Sequence, residues 1–226
     1  MEKLLPSYIE ESWLTQYYHK ARFNEVMKLL GLWEKFSKDG LVLDVGCGRG
    51  NYGRHLRSSR YLGFDINAQS LKNASNLHDA EYVCADAKHI PVKDNSFDLV
   101  LCSEVLEHLD DPSKSIKEVI RVSKKLILLT FPDEKVMGMF GIAPPDHISK
   151  IQALQIKNIL KTSECKITYH KILYFFLPCI TMDVLKIPVK RTSLRLANIL
   201  SYYLSLSFLK KIALSKTHVL LTTKQK

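Results

Sequence analysis

The segment Asp44-Val45-Gly46-Cys47-Gly48-Arg49-Gly50 constrains this chain more than any other. It continues the apolar run Leu41-Val42-Leu43, so the pair reads as a buried strand entering a tight loop. Glycine at alternate positions permits positive φ and leaves no Cβ in the way, so the backbone can pass close to a ligand. Residues 51–57 are expected to form the next helix, with its N-terminal amides turned toward the bound group. A strand, a glycine loop and a helix make a nucleotide-type cradle. A plain strand-to-helix link is the competing reading of the same glycines.

The alternation continues on both sides of this loop. Between Trp13 and Leu30, the apolar residues Leu14, Tyr17, Tyr18, Ala21, Val26, Leu29 and Leu30 recur at roughly helical spacing, and Gly31 suits a C-cap. Strands are expected at 61–65, 81–84, 98–102 and 125–130. Helices are expected at 68–77 and 113–122, the second with Asp111 as N-cap and Pro112 at its first position. Beyond Pro144-Pro145-Asp146 come a helical stretch at 149–161, a strand across 167–177 and a last strand at 219–223. Residues 178–216 are then an insertion before the final strand. Such βαβα order implies an α/β, Rossmann-like fold, a mostly parallel central sheet with helices on both faces. At 226 residues the chain suits a single domain over 1–226, with an N-terminal helical segment at 1–35 and a ligand-binding core at 40–134.

Charge and cysteine content narrow the setting. Residues 1–180 hold 24 basic and 22 acidic groups, whereas 181–226 hold nine basic groups against Asp183 alone. An acidic partner therefore belongs to the tail and not to the body. Five cysteines with no C-x-x-C spacing point to free thiols, no metal site and a reducing compartment. The first residues carry Glu2, Glu10 and Glu11 without an apolar core of a leader, and the longest uncharged stretch is too short to span a bilayer. A cytoplasmic protein is expected, with room for a peripheral membrane contact.

Two ligands compete for the loop. Gly48-Arg49-Gly50-Asn51-Tyr52-Gly53 formally matches the dinucleotide fingerprint, and Asp65 ends the second strand near the expected distance. A ribose hydroxyl acceptor at Asp65 serves either ligand. Asp44 discriminates. A carboxylate at the mouth of the loop is unfavourable beside a pyrophosphate and favourable beside an ammonium and a sulfonium.

Together Asp44 to Gly50, Phe64-Asp65-Ile66, Ala85-Asp86-Ala87 and Ser96-Phe97-Asp98-Leu99-Val100 resemble class I S-adenosylmethionine-dependent methyltransferases, particularly the type 11 group. Ser103-Glu104-Val105-Leu106-Glu107-His108-Leu109 is similar to that group's stretch after the fourth strand, and Asp146-His147-Ile148-Ser149 to a segment before the penultimate helix. The resemblance covers about residues 40–134, and more weakly 144–176. It implies S-adenosylmethionine as cofactor. Asp44, Gly46, Cys47, Gly48 and Gly50 would lie around the methionine portion, Asp65 on the ribose and Ile66 against adenine. Asp86 would accept from the adenine amine, Ala87 would offer its backbone, and Ser103 and Glu104 would close the methionine end. Arg22 and Tyr18 could reach the cofactor from the first helix or serve as a surface and a core residue.

Two departures stand out. The Pro-Gly-Gly turn common before the fifth strand is replaced by Arg121-Val122-Ser123-Lys124-Lys125, which implies a shorter turn. No Asn/Asp-Pro-Pro-aromatic motif follows strand four, which argues against methylation of a planar amino nitrogen. Methyl transfer from a sulfonium depends mainly on alignment, so little side-chain chemistry is compulsory. Where a base is used, His147 is the first candidate and His108 the second, with structural roles as the alternative for each.

Acceptor specificity is expected in the insertion. Leu194, Ala197, Leu200 or Ser201, Leu204 and Phe208 lie at helical spacing, with Lys190, Arg191, Arg195, Lys210 and Lys211 at the flanks. This basic amphipathic pattern suits a small-molecule or lipid-like acceptor or, through 181–216, contact with an anionic membrane. A helix covering the sheet or a subunit contact is the plainer reading. Nucleic acid is disfavoured because no aromatic platform interleaves the basic groups. The alternatives to a methyltransferase are an NAD-type oxidoreductase and a cofactor-binding, membrane-associated module without turnover.

Overall fold

The computed structural model describes residues 13–37, 39–56, 60–77, 79–133, 146–149, 152–176 and 213–225. Seven strands, β1 (Leu41–Val45), β2 (Arg60–Asp65), β3 (Glu81–Cys84), β4 (Phe97–Ser103), β5 (Ser123–Asp133), β6 (Cys165–Phe176) and β7 (Ala213–Lys224), form one sheet in the order β3-β2-β1-β4-β5-β7-β6. The pairs among β1 to β5 are parallel, and β7 runs antiparallel between β5 and β6. The helices are α1 (Trp13–Phe36), α2 (Ala68–Leu77), α3 (Pro112–Val122) and α4 (Ala153–Thr162). This is the layered α/β, Rossmann-like architecture expected from the sequence.

Strands buried on both faces send alternate residues to opposite sides. Leu43, Val45, Val100, Cys102, Ile127, Leu129 and Leu220 join α3 and α4 in one core, through Ile116, Val119, Ile120, Ile156 and Leu160. Their neighbours Val42, Leu99, Leu101, Leu128 and Val219 join Val26, Leu29, Leu30 and Trp33 of α1 and Leu71 of α2 in the other. Each fully buried aliphatic side chain contributes about 1.5–3 kcal/mol, so the two cores hold the strand register rigidly.

Local chemistry sets the element ends. The Asp111 carboxylate accepts the Lys114 amide at 3.2 Å, with Pro112 filling the first turn of α3. At its other end α3 passes directly into β5, Ser123 being both the helix C-cap and the first strand residue. The missing Pro-Gly-Gly element thus corresponds to a connection with no separate loop.

Four expectations need correction. Gly31, expected as a C-cap, lies inside α1, which runs on to Phe36. The stretch expected to be a helix at 51–57 is a 3₁₀ turn of three residues, Gly53–His55. Gly53 is packed against the Tyr61 ring, where a Cβ would stand 2.6 Å from Cε1, and that contact holds the turn tight against β2. The helix expected from 149 starts at Ala153, where Gln152 and Gln155 form a reciprocal capping box. The final strand is longer than its apolar centre and begins at Ala213, which shortens the segment before it. The rest of that insertion lies outside the described residues. Cys47, Cys84, Cys102 and Cys165 are free thiols, as the spacing implied. Among the described residues, no helix is long and apolar enough to cross a membrane.

Candidate active site

Parallel strands deliver their C-terminal ends to one edge, and the expected site residues gather there. Gly46, Gly48 and Gly50 all adopt positive φ, at 72°, 53° and 68°. At Gly46 a Cβ would stand 2.2 Å from Val105 Cγ2, so glycine is required for packing as well as conformation. At Gly48 a Cβ would meet nothing within 4 Å, so this face of the loop opens onto the cleft. The loop is held from beneath, since the Gly46 and Cys47 amides both donate to the Phe64 carbonyl, at 2.7 and 2.9 Å. Cys47 turns inward, with a buried thiol and an amide spent on β2. Its side chain packs the core and does not face the cleft.

Asp44 is not at the mouth of the loop. It is 1% exposed, and its Oδ2 accepts a 2.7 Å bond from the Tyr61 hydroxyl. Burial raises its carboxyl from 3.8 to about 7, partly opposed by the Tyr61 bond and reinforced by the Asp65 charge. The discriminating carboxylate therefore acts from below the glycines, and carries a proton for part of the time near neutrality.

The rim is built from β2 and β3. Asp65 accepts the Gly48 amide at 2.8 Å on Oδ2 and the Asn67 amide at 2.8 Å on Oδ1. Two amides fix the carboxylate plane and leave lone pairs for hydroxyl donors. Ile66 is 71% exposed beside it, an apolar surface of the kind an adenine ring covers. Asp86 accepts the Lys88 amide at 2.8 Å, while Ala85 and Ala87 pack on the core below. The Arg121 guanidinium secures this loop to α3 through the Ile90 and Val92 carbonyls and Glu118.

At the end of β4, Ser103 and Glu104 belong to a continuous hydrogen-bonded chain. Thr130 donates to Glu104 Oε1 at 2.9 Å, so it must accept from Ser103, at 2.9 Å; Ser103 in turn accepts from the Tyr52 hydroxyl at 3.0 Å. Arg22 of α1 donates to Glu104 Oε2 at 2.8 Å, and Phe23 stacks on Tyr52 with centroids 5.3 Å apart. Helix α1 thus covers the cleft with both a charge and a ring. Sequence reading found Arg22 but missed Tyr52, Tyr61 and Thr130. Tyr52 had a signal, its place inside the glycine segment; the others are brought in by strand register alone. The Tyr18 side chain lies outside the described residues.

His108 and His147 come together although they are far apart in sequence. Their rings meet edge to face with centroids 4.9 Å apart, and His108 Nδ1 lies 3.0 Å from the Asp146 carbonyl oxygen. Ser149 ties the same segment to the 3₁₀ turn Leu106–His108, its amide donating to the Glu107 carbonyl at 3.0 Å and its hydroxyl to that of Leu106 at 2.9 Å.

The donor set fits S-adenosylmethionine. An open left-handed glycine bend, a clamped carboxylate for vicinal hydroxyls, an exposed aliphatic slab and a second acceptor at Asp86 lie in series along the strand ends. The dinucleotide fingerprint lacks its helix, because the residues after it form only a 3₁₀ turn. Fold and cleft together resemble those of the class I S-adenosylmethionine-dependent methyltransferases. The methyltransferase-domain family model of type 11 matches residues 43–128, from within β1 into β5.

An uncharacterized protein of Methanocaldococcus jannaschii is 38% identical over 127 residues, covering 55% of this chain and 54% of that protein. Tocopherol O-methyltransferase of Arabidopsis thaliana is 34% identical over 111 residues, 43% of this chain and 32% of the relative. The chain thus spans about half or less of the length of these relatives. Among solved structures, magnesium protoporphyrin IX methyltransferase of Synechocystis with bound S-adenosylhomocysteine superposes with a TM-score of 0.66 at 14% identity. That match covers 100% of this chain and 90% of the other.

Proposed function

We propose that the chain transfers a methyl group from S-adenosylmethionine to a small-molecule or lipid-like acceptor. The observation that carries this reading is the Gly48 bend, open on the cleft side while its amide is held by the Asp65 carboxylate. The cofactor, when bound, supplies an already activated methyl group on sulfur. The protein's part is alignment: Asp65, Ile66 and Asp86 hold the nucleoside, and the buried Asp44 attracts a cation above it. The cover from α1 excludes water, through Arg22 and Phe23. Holding nucleophile, methyl and sulfur in line is worth up to ~7–11 kcal/mol for well-oriented reactants.

Relatives named for tocopherol and protoporphyrin methylation support an apolar acceptor. The basic excess of residues 181–226 supports a contact between the insertion and an anionic acceptor or membrane surface. Calorimetric titration tests the cofactor reading: S-adenosylhomocysteine should bind in one-to-one ratio and NAD should give no heat. Binding of NAD alone would reject it. For the insertion, flotation with anionic vesicles should recruit the full chain but not a variant lacking 181–212, and equal behaviour of both would remove that part.

A further inference from the structure

We infer that Glu107, His108 and His147 form a binding site for a first-row divalent transition metal ion. One ligand atom from each lies within 4.8 Å of the other two. Metal bonds of about 2.0–2.2 Å place neighbouring ligand atoms about 3–3.5 Å apart, so side-chain rotations of roughly 1 Å close the set.

Three further observations make this a built site. The Asp146 carbonyl cannot donate, so the His108 Nδ1 facing it carries the proton and Nε2 presents a lone pair. A backbone acceptor behind one ring nitrogen is the arrangement that orients metal-binding imidazoles. Glu107 is 1% exposed, so its carboxylate is held within the fold and does not sweep through solvent. The two Ser149 bonds fasten the strip carrying His147 onto the turn carrying Glu107 and His108, so the three donors are held as one unit.

The donors set the class of ion. Two imidazole nitrogens and one carboxylate favour zinc, iron(II), cobalt or manganese, whereas magnesium and calcium favour oxygen ligands. Three protein ligands leave coordination positions for water or an acceptor oxygen. The turn follows Ser103 and Glu104 at the end of β4, so the ion would stand on the acceptor side of the cleft. In this reading both histidines are ligands, replacing the base role expected from the sequence, and the absence of cysteine spacing had no bearing on such a site.

The test uses the full chain after chelator treatment, with cobalt(II) and zinc as probes, followed by absorption and calorimetry. One equivalent should bind without a thiolate-to-cobalt charge-transfer band. His147→Gln and Glu107→Gln should each weaken binding by about 100-fold or more while leaving the melting curve cooperative, and His170→Gln should change nothing. The proposal is overturned by absence of binding to the full chain, by a thiolate band, or by unchanged affinity in a folded His147→Gln chain. Metal binding is read without cofactor or acceptor, so it stands or falls apart from the methyltransferase assignment.

Discussion

The guanidinium of Arg22 and the carboxylate of Glu104 lie 2.8 Å apart, joining α1 to the end of β4 across the mouth of the cleft. Both side chains are largely shielded, at 13% and 16% exposure, and Glu104 holds the uncommon φ of 54°. A non-glycine residue in that region is strained unless its surroundings fix it, and here Thr130 and Arg22 do so. A charged hydrogen bond of this kind contributes about 1.5–3 kcal/mol. Arg22→Ala is expected to loosen α1 over the site, increasing amide exchange around position 22 and weakening S-adenosylhomocysteine binding about 10-fold or more. Exchange mass spectrometry and calorimetry measure the two effects; unchanged exchange would show that α1 is held by other contacts.

The first and middle glycines of the loop should respond differently to alanine. Gly46→Ala places a Cβ 2.2 Å from Val105, so the chain should lose several kcal/mol of stability. Gly48→Ala meets no atom and costs only the left-handed conformation, about 1–2 kcal/mol, yet its methyl enters the cleft. The expected outcome is a folded Gly48→Ala chain with at least 10-fold weaker cofactor binding. A folded variant of unchanged affinity would move the ligand away from this loop.

Arg121 offers a test of how Asp86 is positioned. Its guanidinium bonds the Ile90 and Val92 carbonyls at 2.8 and 2.7 Å and pairs with Glu118 and Asp94. Those bonds fasten the loop behind Asp86. Arg121→Ala should lower stability by about 1.5–3 kcal/mol, or about 3–12 °C in a chain of this size. Arg121→Lys keeps the charge without the planar fork and should recover only part of it. Thermal melts of the two variants separate charge from geometry.

What could be read from the sequence was what local pattern records. Most strands were marked by an apolar run, β3 with its Glu81 being the exception, and α3 by Asp111 and Pro112. Glycine spacing located the loop, and the resemblance identified Asp65 and Asp86, which the fold brings to one edge. The failures had physical causes. A 3₁₀ turn replaced the helix after Gly50 because Gly53 packs on Tyr61, a contact with no trace in local periodicity. Asp44 was expected at the rim but points to the α1 face of a strand buried on both sides, a direction settled only when β2 supplies Tyr61. Glu107 and His147 are neighbours through the fold, and no spacing rule connects them.

The buried Asp44 carboxyl gives the last prediction, a dependence on pH. It ionises near 3.8 in an unfolded chain and near 7 in the folded one, so in the folded chain it retains its proton more strongly. Its contribution to stability is therefore full below about 3.8 and is lost as pH rises through about 7. Asp44→Asn, which keeps a side-chain oxygen for Tyr61, should flatten this part of the fall in melting temperature between pH 4 and 7. A cation bound above the loop favours the ionised form, so cofactor binding near pH 6.5 should release a proton and tighten as pH rises toward 8. Calorimetry in buffers of different ionisation enthalpy reads that proton directly. Proton release from Asp44→Asn equal to that of the unaltered chain would assign the linkage to another group.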